Sequence, residues 1–420
     1  MQNVGPVGGS RVALFSGGRG GASISAELAR RPDVQASIIV NGYDDGLSTG
    51  ALRGMIPGLL GPSDFRKVFA GLLDPAVPGH RALGVLLRYR LSGPDGVQVG
   101  DALRAFALGG GTAALPPELA GAARGLDASR RRVVRECLAR YFDHVECFAL
   151  PVDYSDFALG NIVIAGMFLG LGDFNATIAR FGRLCQVPVD VWNVSAGEGR
   201  WLVALTADGR LLTAESEIVT RRSASPIVEL YLLRERPSAQ EWRSIASGSR
   251  ERKHVWLSVR SSPVVPSAEA TDALLRSDLI IYGPGTQHSS LFPSYRIAAE
   301  ALRASPAPVK ALVVNLDPDE DIRGMSPAVI LERALYFLGD PANRSRVVTH
   351  LVHDPAATLP GSAAADRLAE RCAGYGIRLL AGRFRDPSRP HGHDGRNVVD
   401  ALLAALVTAS GFARIEASAS

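Results

Sequence analysis

The residues able to do chemistry gather in a few short segments rich in glycine, hydroxyls and carboxylates. The first is Ser16-Gly17-Gly18-Arg19-Gly20-Gly21, between the apolar run Arg11–Ser16 and a helical pattern over Ala22–Arg31. A glycine-rich turn from strand to helix lets backbone N–H groups approach an anion, and the helix dipole favours negative charge there. Arg19 adds a guanidinium that matches phosphate oxygens. The segment is neither GxGxxG nor a Walker A loop. A turn that needs positive φ explains the same glycines without any ligand.

The second segment is Asn41-Gly42-Tyr43-Asp44-Asp45-Gly46-Leu47-Ser48-Thr49-Gly50, after the apolar run Val34–Asn41. Ligands of open α/β sheets bind beyond the carboxyl ends of the strands. Asp44 and Asp45 there could hold Mg²⁺, which takes oxygen ligands, or could bind ribose hydroxyls; a solvated Asx turn is the bland alternative. The third is Gly61-Pro62-Ser63-Asp64-Phe65-Arg66-Lys67, with Asp64 read as the N-cap of a helix over Asp64–Leu73. Arg66 and Lys67 then fall in the first turn, where the dipole disfavours cations, which points to an anion nearby or merely to tolerance at an exposed site.

Gly160-Asn161 opens an apolar helix, and its amide needs a partner; a local backbone bond would serve. Gly283-Pro284-Gly285-Thr286-Gln287-His288-Ser289-Ser290 follows the strand pattern Leu279–Tyr282 and should face the same edge as the first loop. Asn315-Leu316-Asp317 ends another strand. His391-Gly392-His393-Asp394 could ligate metal, but a polar loop capping the last helix explains it better.

These segments need a sheet to line them up. Strand, turn, helix and strand over 11–41 make a βαβ opening, which predicts a parallel sheet. Strand and helix alternate again from Leu279 to Ala409, and 414–420 reads as a frayed tail. Ala207-Asp208-Gly209 between apolar runs predicts a hairpin in a small β-rich patch. The expected fold is α/β: a Rossmann-like, mostly parallel sheet with helices on both faces and a helical insertion or cap. The expected division is 1–92, the first part of the core; 93–150, the helical cap; 151–340, the rest of the core with the β-rich patch; and 341–420, a C-terminal α/β extension.

The 420 residues have ordinary composition for a globular chain, with 46% hydrophobic and 21% charged residues, which excludes a disordered architecture. No apolar run reaches the roughly 18 residues of a membrane span, and residues 1–10 do not read as a secretory signal. The four cysteines are scattered, without CxxC spacing, so neither a disulfide framework nor a structural zinc site is expected. A cytoplasmic location follows. Arginine supplies 43 of the 46 basic residues and the net charge is +4. The run Arg130–Arg132 sits on a helical pattern and reads as a solvated face, so no nucleic-acid partner is expected.

Taken in order, SGGRGG, NGYDDGLSTGALR, GPSDFRK, GN in an apolar helix, GPGTQHSS and VVNLD resemble the superfamily of 2-phospho-L-lactate transferase and the bacterial gluconeogenesis factor. The loop wording is nearer the gluconeogenesis-factor branch. The likeness covers about 11–90 and 155–340. Arg19 stands where that family has Thr, Leu47 where it has Gly, and His288 where it has Tyr.

The resemblance implies a Mg²⁺-dependent transferase. It would move a phosphorylated group from a nucleoside-diphosphate-type conjugate to an acceptor hydroxyl and release a nucleoside monophosphate. The alternative is a UDP-sugar-binding or nucleotide-binding regulatory protein without turnover. The implied partner is a nucleotide or nucleotide sugar, and a homodimer is allowed. Asp44 and Asp45 would hold Mg²⁺ and serve catalysis, with Asp64 and His288 as candidates for the acceptor's base. Gly17, Gly18, Arg19, Gly20, Ser48, Arg53, Arg66, Asn161, Gly283, Gly285, Thr286, Ser289 and Asn315 would bind the nucleotide or its phosphates. A nicotinamide-dependent dehydrogenase is disfavoured by the missing GxGxxG.

Overall fold

The computed structural model describes residues 9–91, 96–150, 152–154, 156–219, 225–317, 322–355 and 363–419. Seven strands form its central sheet. They are β1 (Ser10–Gly17), β2 (Val34–Val40), β3 (Asp190–Asn193), β4 (Leu279–Gly285), β5 (Val309–Val313), β6 (His350–His353) and β7 (Arg378–Ala381). Every neighbouring pair is parallel, and the order across the sheet is β7-β6-β5-β4-β1-β2-β3. The α/β, Rossmann-like expectation therefore holds.

Alternation along β1 shows why the sheet is covered on both faces. Val12 and Leu14 join Ile24 and Leu28 of helix α1 (Ala22–Arg30) and Val398 and Leu402 of the C-terminal helix Gly395–Ala419. Ala13 and Phe15 point the other way, into a larger core shared with Tyr43, Phe65 and Tyr295. Successive strand residues face opposite sides, so both sets must be apolar when helices lie on both faces.

The stretch after residue 93 is helical, as expected: α5 (Gly96–Ala107), α6 (Pro117–Gly125) and α7 (Ala128–Cys147) follow α2 (Leu47–Met55), α3 (Ser63–Leu72) and α4 (His80–Arg88). It packs mainly on α4 and on α8 (Leu159–Leu171), forming a further helical layer on that side. Gly166 of α8 lies directly beneath the carbonyl of Cys137, so the two helices cross backbone to backbone there.

The predicted hairpin forms around Asp208 and Gly209, where Gly209 has φ +81°. It belongs to a three-stranded antiparallel sheet of Trp201–Thr206, Leu211–Leu212 and Ile227–Leu233. Ile227–Leu233 and the helices Ala239–Ala246, Arg250–Arg260 and Ala268–Arg276 carried no assignment in the sequence reading. One expectation is corrected: the chain does not fray at Arg414 but stays helical to Ala419. Residues 1–8 and Ser420 lie outside the described residues. No helix among the described residues is long and apolar enough to cross a membrane.

Gly166→Ala should force α7 and α8 apart and lower stability by about 2 kcal/mol or more in urea titration, the range of an overpacked core. Gly121→Ala, on the exposed side of α6 with open space around it, should raise stability by about 0.5–1 kcal/mol.

Candidate functional site

The strand order reverses direction between β1 and β4, which makes their carboxyl ends the switch point of the sheet. The two glycine loops meet there. A Cβ on Gly20 would lie 2.6 Å from Gly285 Cα and from the Pro284 carbonyl, and one on Gly17 would lie 2.7 Å from Ser290 Cβ. Added Cβ atoms on Gly283 and Gly285 would overlap the carbonyls of Phe15 and Gly17. Gly20, Gly283 and Gly285 are required because two backbones touch, and Gly17 because the Ser290 and Leu291 side chains lie against it. Gly18 differs: its φ is +64°, and a Cβ there would meet only Thr286 Oγ1, at 3.9 Å.

Asn315, just beyond β5, fixes the second loop from behind. Its Nδ2 donates to the Gly285 carbonyl at 3.0 Å, and its Oδ1 accepts from Gly285 N at 3.2 Å and Gln287 Nε2 at 3.1 Å. The chain then makes one π turn, Gln287–Leu291, before the helix Phe292–Ala304. Single π turns are common at functional sites.

Four ionisable side chains converge on this junction. Asp64 is not the cap of α3, because Pro62 holds that position and makes no side-chain cap. Instead its Oδ2 accepts from Gly18 N at 3.2 Å and Ser290 Oγ at 3.0 Å, and its Oδ1 accepts from Lys67 Nζ at 2.7 Å. One carboxylate thus ties the first loop, the second loop and α3. Asp44 faces the same cluster, and its Oδ1 accepts from Gly46 N at 2.8 Å. Its partner is Glu215, which shares a side-chain hydrogen bond with it.

Burial and the charge of Asp64 raise the pKa of Asp44. Burial, then Asp44, pushes Glu215 up to about 9. Burial also penalises the Asp64 carboxylate, but Lys67, Ser290 and Gly18 N together outweigh it and hold Asp64 below its usual value. Asp44 and Glu215 therefore share a proton beside an ionised Asp64.

Asp45 stands slightly apart. Its Oδ1 accepts from Glu215 N at 2.9 Å and so caps the short helix Glu215–Val219 that presents Glu215. Arg53 braces this loop from below. Its Nη1 donates to the carbonyls of Tyr43 and Asp44 at 3.3 and 3.2 Å, and its guanidinium lies 4.4 Å over Trp201. Leu47, where the resembled family has Gly, sits at φ +44° with an exposed side chain.

Other candidates lie away from the junction. Arg66 is buried under α8: its Nε donates to Asn161 Oδ1 at 2.9 Å, and Asn161 Nδ2 donates to Ser63 Oγ at 2.9 Å. Burial, then Arg90 nearby, lowers the Arg66 pKa to about 10. Gly160 is needed because a Cβ would lie 2.7 Å from Arg66 Cδ. The Gly-Asn pair thus seats Arg66 and the start of α3, which replaces the local backbone bond expected for Asn161.

His288 is fully buried in the π turn, edge-on to Phe292 at 5.1 Å. Ser48 and Ser289 are buried beside the loops, Thr286 Oγ1 pairs with Ser290 Oγ at 2.9 Å, and Arg19 is exposed. Ser289 Oγ and Ser16 Oγ are buried without a partner among the described residues. His393 Nε2 meets the Val314 carbonyl at 3.1 Å and His391 Nδ1 meets Asp317 at 3.0 Å, so the late histidine pair ties the short hairpin of Arg385–Asp386 and Arg389–His393 to the segment after β5.

The sequence reading missed Glu215. Its only signal is a carboxylate opening a short helix after the small sheet. Among the described residues no three Asp, Glu, His or Cys side chains are set to hold a metal ion. The donor chemistry still fits Mg²⁺, which is commonly held by one or two carboxylates together with substrate phosphates and water. Asp44 and Asp64 offer those carboxylates, whereas Asp45 is engaged with the Glu215 backbone. An apolar cavity of about 580 Å³ lies elsewhere, lined by Leu230, Tyr231, Arg296 and Phe337, and none of these site residues lines it.

A parallel sheet with glycine loops and carboxylates at its switch point defines a Rossmann-like protein. The chain belongs to the family described as 2-phospho-L-lactate transferase CofD, whose model matches residues 12–353. That span runs through the helices after residue 93, which the loop motifs alone had not connected to the family. Two crystal structures of the UPF0052-family protein BH3568 of Bacillus halodurans share the fold. One has 19% identity and a TM-score of 0.62, covering 94% of this chain and all of that one. The other has 20% identity and the same TM-score, covering 94% and 99%. No curated protein matches the chain.

The raised Glu215 pKa sets a pH dependence. Between the ordinary carboxyl range and about 9, the folded chain holds a proton that the unfolded chain has released. Stability should therefore fall as pH rises through that window. Glu215→Gln should flatten the fall, read as urea midpoints from pH 5 to 9; an unchanged slope would place the proton elsewhere.

Proposed function

We propose that this protein is a phosphotransferase of the 2-phospho-L-lactate transferase type. It would take a nucleoside-diphosphate-type conjugate as donor and an alcohol as acceptor, with release of a nucleoside monophosphate. The observation that carries the reading is the placement of Asp44, Asp64, Glu215 and Lys67 against two interlocked glycine loops at the switch point.

In this reading the diphosphate lies over Gly17–Gly20 and Gly283–Ser290. Backbone N–H groups, the Thr286 and Ser289 hydroxyls and exposed Arg19 would meet its oxygens. The acceptor oxygen attacks phosphorus, the bond from phosphorus to the nucleoside monophosphate oxygen breaks, and the hydroxyl proton passes to a carboxylate. Asp64, ionised and in contact with both loops, is the better placed receiver; His288 is packed against Phe292. A Mg²⁺ held by Asp44 and Asp64 would supply charge neutralisation on the phosphates. Fixed donors act best where charge develops in the transition state, so the rigid loops suit this task.

Binding without turnover is favoured by one observation: Asp64 is already committed to Gly18 N, Ser290 and Lys67. Incubation with GDP-type and UDP-type conjugates, an acceptor alcohol and Mg²⁺, followed by chromatography for GMP or UMP, separates the two. The transferase reading expects one of these products. It also expects Asp44→Asn to lower kcat by about 100-fold or more with little change in donor affinity. Asp45→Asn should act less severely, through the position of Glu215. Tight UDP-sugar binding that ignores chelator, with no product from any conjugate, would favour the regulator.

A further inference from the structure

Lys67 is the cation that the site motifs leave without a task. It sits one turn into α3, on the face that carries Asp64 three residues earlier. Its ammonium is 2.7 Å from Asp64 Oδ1, and the charges of Asp44 and Glu215 also act on it. The Asp64 side chain is only 5% exposed, while that of Lys67 is 29% exposed. A buried carboxylate is thus covered by a cation that reaches in from the solvent side on a flexible four-carbon stem.

Two buried cations nearby are fixed elsewhere. Arg53 is spent on backbone carbonyls and Trp201, and Arg66 on Asn161 and the Leu87 carbonyl. Among the described residues Lys67 is the cation that pairs directly with one of these acids, and it can leave without breaking a backbone contact.

We propose that Lys67 is an internal counter-ion. In the ligand-free protein it takes the place a divalent cation would hold against Asp64 and Asp44, and it moves onto phosphate oxygens when a metal-bound diphosphate enters. This rests on the nucleotide-site reading above and deepens it. Two cations cannot share the Asp64 oxygens closely without repulsion, so removing the ammonium frees the carboxylates for metal. The same removal takes a donor from the bound diphosphate.

The test uses the full chain, with Mn²⁺ alone as the first probe, read by the loss of the free-ion electron paramagnetic resonance signal. Lys67→Met and Lys67→Gln should each bind Mn²⁺ at least about tenfold more tightly than the parent. At saturating Mn²⁺, calorimetry should show GDP binding to both variants at least about tenfold more weakly. Lys67→Gln keeps a hydrogen-bond donor for Asp64, so it covers the case in which Lys67→Met fails to fold. Mn²⁺ binding that is unchanged, weaker or undetectable in the folded variants overturns the proposal, as does GDP affinity equal to the parent's. The first readout needs neither conjugate nor turnover. Tighter Mn²⁺ binding without any nucleotide product would therefore sink the transferase reading and leave the counter-ion standing.

Discussion

The close approach of two backbones, Gly17–Gly20 against Gly283–Gly285, is the constraint on which the site depends. At that distance neither Gly20 nor Gly285 tolerates a side chain, and each loop is the wall of the other. The parallel order that places β1 beside β4 creates the junction. Asn315 then locks the second loop through both backbone groups of Gly285.

The charges are arranged around that junction. Asp64 is the hinge of the arrangement because it accepts from both loops and from Lys67 at once. Asp44 and Glu215 then cannot both ionise beside it, and the shared proton is the outcome. The small antiparallel sheet contributes by delivering Glu215, whose helix is capped by Asp45 and rests on the π turn. The helical layer contributes through α8, whose Gly160-Asn161 pair seats Arg66 and so fixes α3 and Asp64.

Much of this was legible in the sequence where a single local rule governs. The strand-turn-helix opening, the apolar runs of β1 and β2 and the Asp-Gly hairpin each follow from short-range pattern. The glycine loops were legible as loops, but not why each glycine is there. Close approach of Gly20 to Gly285 is a contact across more than 260 positions, which no local pattern encodes. Asp64 was read as a helix cap because caps are local; its actual partners come from β1, β4 and Lys67. Arg66 and Asn161 were read as ligand contacts, whereas burial under α8 pairs them with each other. Glu215 was invisible because its neighbours Asp44 and Asp45 lie about 170 residues earlier.

The central claim is that the switch-point loops and the Asp44–Asp64–Glu215 cluster together form one diphosphate and cation site. A crystal structure with GDP and Mn²⁺, with anomalous scattering used to locate the metal, tests it most directly. The account predicts the diphosphate over Gly17–Gly20 and Gly283–Ser290, an anomalous peak on Asp44 and Asp64, and Lys67 turned toward the phosphates. Diphosphate bound in the cavity of Tyr231, Arg296 and Phe337, or a metal peak away from both carboxylates, would contradict it.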